Sequence, residues 1–285
     1  MTVPAPPSPI ALPATMKAVT HPQYGAPDLL QVSQVPLPRV GDEDVLIRVV
    51  AAAINKGDWH MVTGKPYLIR LAGYGLRKPK HLIIGQEVAG IVEAVGSRVA
   101  RFQVGDEVFG ETKSGAFGEF VCVGEGEIAP KLAPISFEEA ASLPTSGLTA
   151  LQGLRDVAQL QAGQKVLING ASGGVGSFAV QLARYFGAEV TGVCSTPNVE
   201  FVRSLGATDA VDYTREDFTD LRDFDVFLDL VGNRPLSACR QVLKPQGIYV
   251  ACSGEGGDLL GPIPRLVRMS MLSQAEGKRM VSYLQ

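Results

Sequence analysis

Cysteine, histidine and net charge are all scarce in this chain. Four cysteines, Cys122, Cys194, Cys239 and Cys252, are spread over 285 residues without a C-x-x-C pair, and only three histidines, His21, His60 and His81, accompany them. Such spacing alone draws no classical zinc cluster. It fits a reducing, cytoplasmic compartment in which the thiols serve as small buried apolar groups. Lys and Arg total 26 against 29 Asp and Glu, a net charge of −3, which sets up no field for nucleic acid or an acidic membrane surface. No apolar run approaches the roughly 20 residues that span a bilayer, so no integral membrane segment is expected. The opening MTVPAPPSPIALPAT has neither a basic n-region nor an apolar h-region, and its prolines oppose regular structure. Residues 1–15 are expected to be a disordered tail, or to lie upstream of a start at Met16.

What the chain does have is glycine, 32 residues of it, and 46% hydrophobic residues over a length that fits two domains. The most informative stretch is VLINGASGGVG, residues 166–176. Val166, Leu167 and Ile168 read as a buried parallel strand that runs through a glycine-dense turn into a helix, the pattern of a dinucleotide-phosphate site. The turn and first helical residues, Ser172, Gly173, Gly174, Val175 and Gly176, are the candidate phosphate contacts. Gly173 lets the backbone approach a pyrophosphate, Gly176 lets the helix pack on the strand, and the helix start offers N–H groups and a positive dipole end. Ala171 stands where the usual fingerprint has its first glycine, giving A-x-G-x-x-G.

The rest of the second half repeats strand and helix. Apolar spacing from Val175 to Phe186 predicts a helix stopped by Gly187, followed by a strand from Glu189 to Cys194. A helix from Asn198 to Leu205, strands at Asp209–Tyr213 and Phe224–Leu230, a helix from Pro235 to Leu243 and a strand from Gly247 to Cys252 come next. The segment KRMVSYLQ reads as a sixth strand. This alternation predicts an α/β, doubly wound parallel sheet with its ligand at the carboxyl ends of the strands. The first half differs. Short β-type runs at Val45–Ala53, Val88–Val95, Glu107–Gly110 and Phe117–Val123, broken by Gly, Pro and Asp, predict an irregular β-rich domain. Ser136 and Glu139 form a capping box for a connecting helix near the boundary. The expected division is 16–138 and 139–285.

The segments MKAV, AAAIN-KGDW, IIGQEVAGIVEAVG, RFQVGDEVFG, LPTSGLTA, INGASGGVG and LRDFDVFLDLVG together resemble the medium-chain dehydrogenase/reductase family. Within it they resemble the zinc-free quinone oxidoreductase branch, which includes zeta-crystallin-like proteins. The resemblance runs in family order over residues 16–285. It implies a GroES-like catalytic domain, a Rossmann domain, and a cleft in which a nicotinamide cofactor meets a small carbonyl or quinone substrate. It also suggests a homodimer along the Rossmann edge strand. Relatives continue beyond the sixth strand by about 40 to 50 residues that complete the catalytic domain, so a C-terminal truncation is expected.

Zinc-dependent members of the family carry a cysteine where this sequence has Asn55 and a histidine where it has Gln86, and neither replacement is a good zinc ligand. The resemblance therefore implies NAD(P)H-dependent reduction of a quinone or an α,β-unsaturated carbonyl without zinc. The alternative is a cofactor-binding protein with little or no turnover. The resemblance places Asn55 at the reaction centre, where its amide would orient the nicotinamide ribose or a substrate oxygen; its other reading is a loop cap. His60 has the spacing of the family's proton-relay histidine, against a packing role. Tyr67, in a stretch read as a lid, is a candidate substrate contact or a packing residue. For the cofactor, the strand ending at Cys194 is followed by Ser195 with no acidic residue, which favours NADPH and leaves NADH open. Tyr213 matches a family residue that can contact the 2′-phosphate. Pro197 stands where NADPH-using members carry a base. Thr149, Val231 and Gly232 match contacts at the nicotinamide end.

Overall fold

The computed structural model describes residues 12–252, 257–276 and 279–283. Most of the expected N-terminal tail lies outside these residues. The chain forms two compact units, one of residues 1–54 and 81–141, the other of 55–80 and 142–285. Residues 55–80, expected in the first domain, thus group with the second unit.

Before the division the elements are β1 (Thr15–Thr20), β2 (Gln31–Pro36), β3 (Asp44–Ala53) and α1 (Lys56–Thr63); then come β4 (Glu87–Val95), β5 (Glu107–Glu111), β6 (Phe120–Gly124), β7 (Ile128–Pro130) and α2 (Phe137–Ala141). In the first unit β1 and β2 pair antiparallel, and a second antiparallel sheet runs in the order β6-β3-β4-β5-β7. Strand alternation buries Val45, Ile47, Val88, Val92, Val108, Val121 and Val123 in one cluster. β6 starts at Phe120, later than the expected Phe117, because Gly118 N–H closes a turn onto the Gly115 carbonyl at 3.2 Å. The capping box before α2 is present in both directions: Ser136 N–H donates to Glu139 at 2.8 Å, and Glu139 N–H donates to Ser136 Oγ at 3.1 Å.

The second unit continues with α3 (Pro144–Gln152), β8 (Lys165–Asn169), α4 (Gly174–Tyr185), β9 (Glu189–Cys194), α5 (Val199–Ser204), β10 (Asp209–Asp212), β11 (Phe224–Asp229), α6 (Leu236–Gln241), β12 (Leu243–Ala251), α7 (Ile263–Glu276) and β13 (Met280–Ser282). Its six strands are parallel in the order β10-β9-β8-β11-β12-β13. This is the doubly wound order in which the connection reverses direction at β8, and such sheets take ligands at the carboxyl ends beside that point. Both faces are covered. Val166, Ile168, Val226, Leu228, Ile248 and Val250 pack on one side, and Leu167, Val193, Phe227 and Tyr249 on the other. Double-sided burial explains why these strands read as continuous apolar runs rather than alternating ones. Helix α7 did not figure in the sequence reading. Its Leu266, Met269 and Leu272 join the second cluster, an i, i+3, i+6 signal that was available in the chain.

Candidate active site

Between β8 and α4 the chain makes the turn that a phosphate site requires. Gly170 takes φ of +88°, a left-handed value that only glycine adopts without strain. The sharp turn assigned by pattern to the position of Ala171 is therefore made one residue earlier. Gly170 and Ala171 N–H groups donate to the Val193 carbonyl at 3.2 and 3.0 Å, hanging the turn on the end of β9. Ala171 itself is fully buried, and its methyl lies 2.9 Å from where a Cβ on Gly192 would sit. A Cβ on Gly176 would stand 2.1 Å from the Gly170 carbonyl oxygen, so only glycine allows α4 this close to the turn. Gly173 is the N-cap of α4, and no side chain caps the helix there. Gly173 and Gly174 are exposed while Gly176 is buried. The result is an open helix start whose first N–H groups and dipole end face solvent, fit to receive a pyrophosphate.

The nicotinamide-end candidates are held by a buried carboxylate. Asp229, at the carboxyl end of β11 and fully buried, accepts hydrogen bonds from Val231 N–H at 3.2 Å, Gly232 N–H at 2.8 Å and Asn169 Nδ2 at 2.9 Å. These fix the turn in which Gly232 takes φ of +75°. The Tyr249 hydroxyl donates to Asp229 at 2.5 Å, and Arg265 Nη2 lies 3.4 Å from the same oxygen. Burial, and then the Asp229 charge, push the Tyr249 phenol far above its ordinary value, so its hydroxyl stays a proton donor. Sequence reasoning missed Asp229, Tyr249 and Arg265 as a group. Thr149 is buried on α3 and donates its hydroxyl to the Thr145 carbonyl at 2.6 Å.

Asn55 is the N-cap of α1. Its Oδ1 accepts from Gly57 N–H at 2.6 Å and Asp58 N–H at 3.3 Å, while Asp58 accepts from Asn55 N–H at 2.9 Å, a reciprocal capping box. Its Nδ2 points to Thr145 Oγ1 at 3.5 Å. The next residue, Ser146, has its Oγ 3.0 Å from where a Gly174 Cβ would be. Consecutive residues of α3 thus link Asn55 to the phosphate turn. His60 is half-buried, packs edge-on to Trp59 with ring centroids 5.1 Å apart, and sets Nδ1 2.6 Å from the Lys65 carbonyl. Tyr67 is exposed, lies under the Arg70 guanidinium at 4.7 Å, and donates its N–H to the Asp258 carbonyl at 2.6 Å. His60 and Tyr67 therefore take their contacts from residues 59–70 and 258.

At the far end of the phosphate turn, Ser195 Oγ accepts from Asn198 Nδ2 at 3.1 Å. Tyr213 is exposed just past β10, its N–H donating to the Cys194 carbonyl at 3.1 Å. Parallel pairing of β9 with β10 brings both residues to the same edge as the turn.

The chain matches two families, the alcohol dehydrogenase GroES-like domain over residues 41–152 and the zinc-binding dehydrogenase domain over residues 174–277. A quinone oxidoreductase structure from Coxiella burnetii superimposes with a TM-score of 0.83 at 31% identity, covering 95% of this chain and 83% of that one. This chain belongs to the medium-chain dehydrogenase/reductase family. It is 38% identical over 258 residues to 2-methylene-furan-3-one reductase of Solanum lycopersicum. It is 36% identical over 257 residues to the chloroplastic NADPH-dependent alkenal/one oxidoreductase of Arabidopsis thaliana. In both cases the match takes in 86% of this chain and 64% of the relative's length.

Zinc, which the name of one matching family implies, does not fit the residues present. Among the described residues no group of three or more His, Cys, Asp or Glu side chains is arranged to hold a metal ion. Asn55 already uses its carbonyl oxygen to cap α1, and a zinc centre needs about three protein ligands of thiolate, imidazole or carboxylate type. Among the described residues no helix is long and apolar enough to cross a membrane.

Proposed function

We propose that this medium-chain dehydrogenase/reductase is an NADPH-dependent enzyme that transfers a hydride to a quinone or an α,β-unsaturated carbonyl without zinc. The observation that carries the reading is the open start of α4, where a Cβ on Gly176 would stand 2.1 Å from the Gly170 carbonyl oxygen, so that only glycine fits, and no side chain occupies the cap. The names of the tomato and Arabidopsis relatives support the substrate class, and the absence of an acid after β9 supports the phosphorylated cofactor. All four thiols are free, which supports the reducing, cytoplasmic setting. A homodimer along the outer strand of the parallel sheet belongs to the same proposal.

The bound nicotinamide would supply the hydride. The protein's part is placement and proton supply. Ser172, Gly173, Gly174, Val175 and Gly176 seat the pyrophosphate, and Thr149, Val231 and Gly232 bound the nicotinamide end, the last two held by Asp229. The Lys65 carbonyl can only accept, so Nδ1 of His60 carries the proton of that 2.6 Å bond. Nε2 is then the nitrogen that holds or passes a proton to the enolate or quinol oxygen formed as hydride arrives. Asn55 aims its amide at the substrate side while capping α1, and Tyr67 contributes an exposed ring to the substrate's approach.

A second reading, a protein that binds cofactor with little or no turnover, is favoured by one observation: the Asn55 oxygen is committed to the helix cap. Titration with NADPH and NADH by nicotinamide fluorescence, followed by NADPH oxidation against a panel of quinones and enones, tests both. Binding with turnover supports the first reading. Binding without turnover on any acceptor supports the second, and a folded chain that binds neither cofactor sinks both.

A further inference from the structure

The edge formed by the ends of β9 and β10 holds a charge arrangement that the sequence does not suggest. Asp212, the last residue of β10, is 6% exposed. Its Oδ1 accepts from Thr214 N–H at 3.0 Å and Thr214 Oγ1 at 2.8 Å; its Oδ2 accepts from Thr196 Oγ1 at 2.6 Å and lies 3.4 Å from Arg215 Nε. A carboxylate offers about four lone-pair positions, and all four are taken. The Thr196 hydroxyl bond, first among the causes, holds the Asp212 carboxyl below its ordinary range, so it is ionised at neutral pH.

Two consequences follow from that saturation. Asp212 ends β10, beside the carboxyl ends of β8 and β9 across which a dinucleotide would lie, yet it has no acceptor left for ribose hydroxyls. It cannot do what the acid of an NAD site does. Its charge is instead spent on fixing Thr196, next to Ser195, and on tethering Arg215, whose Nε lies 3.4 Å from Oδ2. The Arg215 side chain is 72% exposed, which leaves its terminal Nη groups in solvent, a fork suited to a phosphate. Arg203 on α5, another cation of this unit, is engaged by Glu200 at 2.9 Å.

We propose that Arg215 selects a 2′-phosphorylated adenosine, with Asp212 as the buried anchor that positions it and the Ser195 hydroxyl, an acceptor from Asn198 Nδ2, donating its own proton to complete the phosphate site. The inference rests on the reading above for where the adenosine lies, and it names the cation that Pro197 fails to provide. Ser195 and Tyr213 lie at the same strand ends; Arg215 and Asp212 decide the charge there.

The test uses probes that carry no nicotinamide, adenosine 2′,5′-bisphosphate and 5′-AMP, titrated calorimetrically into the full chain. The unaltered protein should bind the bisphosphate at least about tenfold tighter than AMP, with the advantage shrinking as salt rises. Arg215→Gln should bring the two affinities to within about threefold by weakening only the bisphosphate. Arg203→Gln should leave the ratio unchanged. Asp212→Asn, checked for folding by its melting curve, should lower the ratio without touching AMP. A ratio near one in the unaltered chain, a ratio that survives Arg215→Gln, or binding of neither probe would overturn the proposal. Reduction of enones with no bisphosphate preference would sink this inference and spare the hydride-transfer reading while removing its NADPH preference. A preference lost in Arg215→Gln, in a chain that turns over no acceptor, would do the reverse.

Discussion

The Tyr249 hydroxyl donates a 2.5 Å hydrogen bond to the fully buried carboxylate of Asp229, across two adjacent parallel strands. Arg265, from α7, donates to the same Tyr249 oxygen at 2.7 Å and to the Arg234 carbonyl at 2.7 Å. One carboxylate therefore ties together the ends of β8, β11 and β12, the turn at Val231 and Gly232, and α7. Breaking a buried charge pair from one side leaves the partner uncompensated, at a cost of roughly 3 to 5 kcal/mol. Asp229→Ala should lose about that much in urea unfolding, whereas Tyr249→Phe, which removes the bonds to both Asp229 and Arg265 but leaves the carboxylate its remaining partners, should lose at least about 1.5 to 3 kcal/mol. Equal, sub-kilocalorie losses for both would show that the network contributes little.

Gly176 sets how closely α4 approaches the phosphate turn. A methyl there would meet the Gly170 carbonyl oxygen and the Ala171 backbone, all atoms that cannot swing aside. Gly176→Ala should therefore displace the turn and weaken NADPH binding by on the order of 100-fold, since close backbone approach is what the site requires. Gly173→Ala is the comparison. Its added Cβ would meet the Gly170 oxygen at an ordinary 3.4 Å, so it should keep the turn and melt like the unaltered chain, losing affinity only through the Cβ that faces the pyrophosphate. Melting curves beside fluorescence titration of both variants decide this, and equal losses of stability would count against the geometric argument.

Much of the fold was legible because strand and helix alternate with turn residues between them: β9 spans Glu189–Cys194, the segment set off by Gly187 and Ser195. The glycine turn between β8 and α4 was legible for the same reason, since its glycines are local in sequence. What the sequence hid is non-local. Tyr249 and Arg265 reach Asp229 from 20 and 36 residues away, and Asp212 meets Thr196 only because β10 lies parallel beside β9. No spacing rule carries such pairings. The grouping of residues 55–80 with the second unit was hidden likewise, because helical periodicity in α1 says nothing about which body its buried face joins.

Asn55 has two duties that substitution can separate. Asn55→Ala removes the cap of α1 and should lower stability by about 1 kcal/mol, together with any turnover that depends on the amide. Asn55→Asp keeps an oxygen for the N–H groups of Gly57 and Asp58 but loses the Nδ2 donor facing Thr145. If the amide serves the reaction, Asn55→Asp should melt like the unaltered chain yet turn over about tenfold or more slowly, with cofactor affinity retained. Full activity in Asn55→Asp would reduce Asn55 to a cap.

The buried thiols make alkaline stability a readout of the parallel sheet. Burial first, and then the Asp229 charge, push Cys239 up to about 11 and Cys252 up to about 12, from an ordinary 9.0. A raised thiol value means that the folded state holds its proton longer than the unfolded state. The contribution is complete below pH 9 and is lost as pH rises toward 11 and 12, because the unfolded chain ionises first. Within that window each thiol should remove up to about 1.4 kcal/mol of stability per pH unit. Urea midpoints measured between pH 8 and pH 10.5 should fall more steeply for the unaltered chain than for a Cys239→Ala, Cys252→Ala double variant. At pH 8 the same two thiols should resist iodoacetamide until urea unfolds the chain, since the thiolate is the reactive form. Parallel slopes, or rapid alkylation of the folded protein at both positions, would mean that these sulfurs are less shielded than their packing against the Asp229 end of the sheet implies.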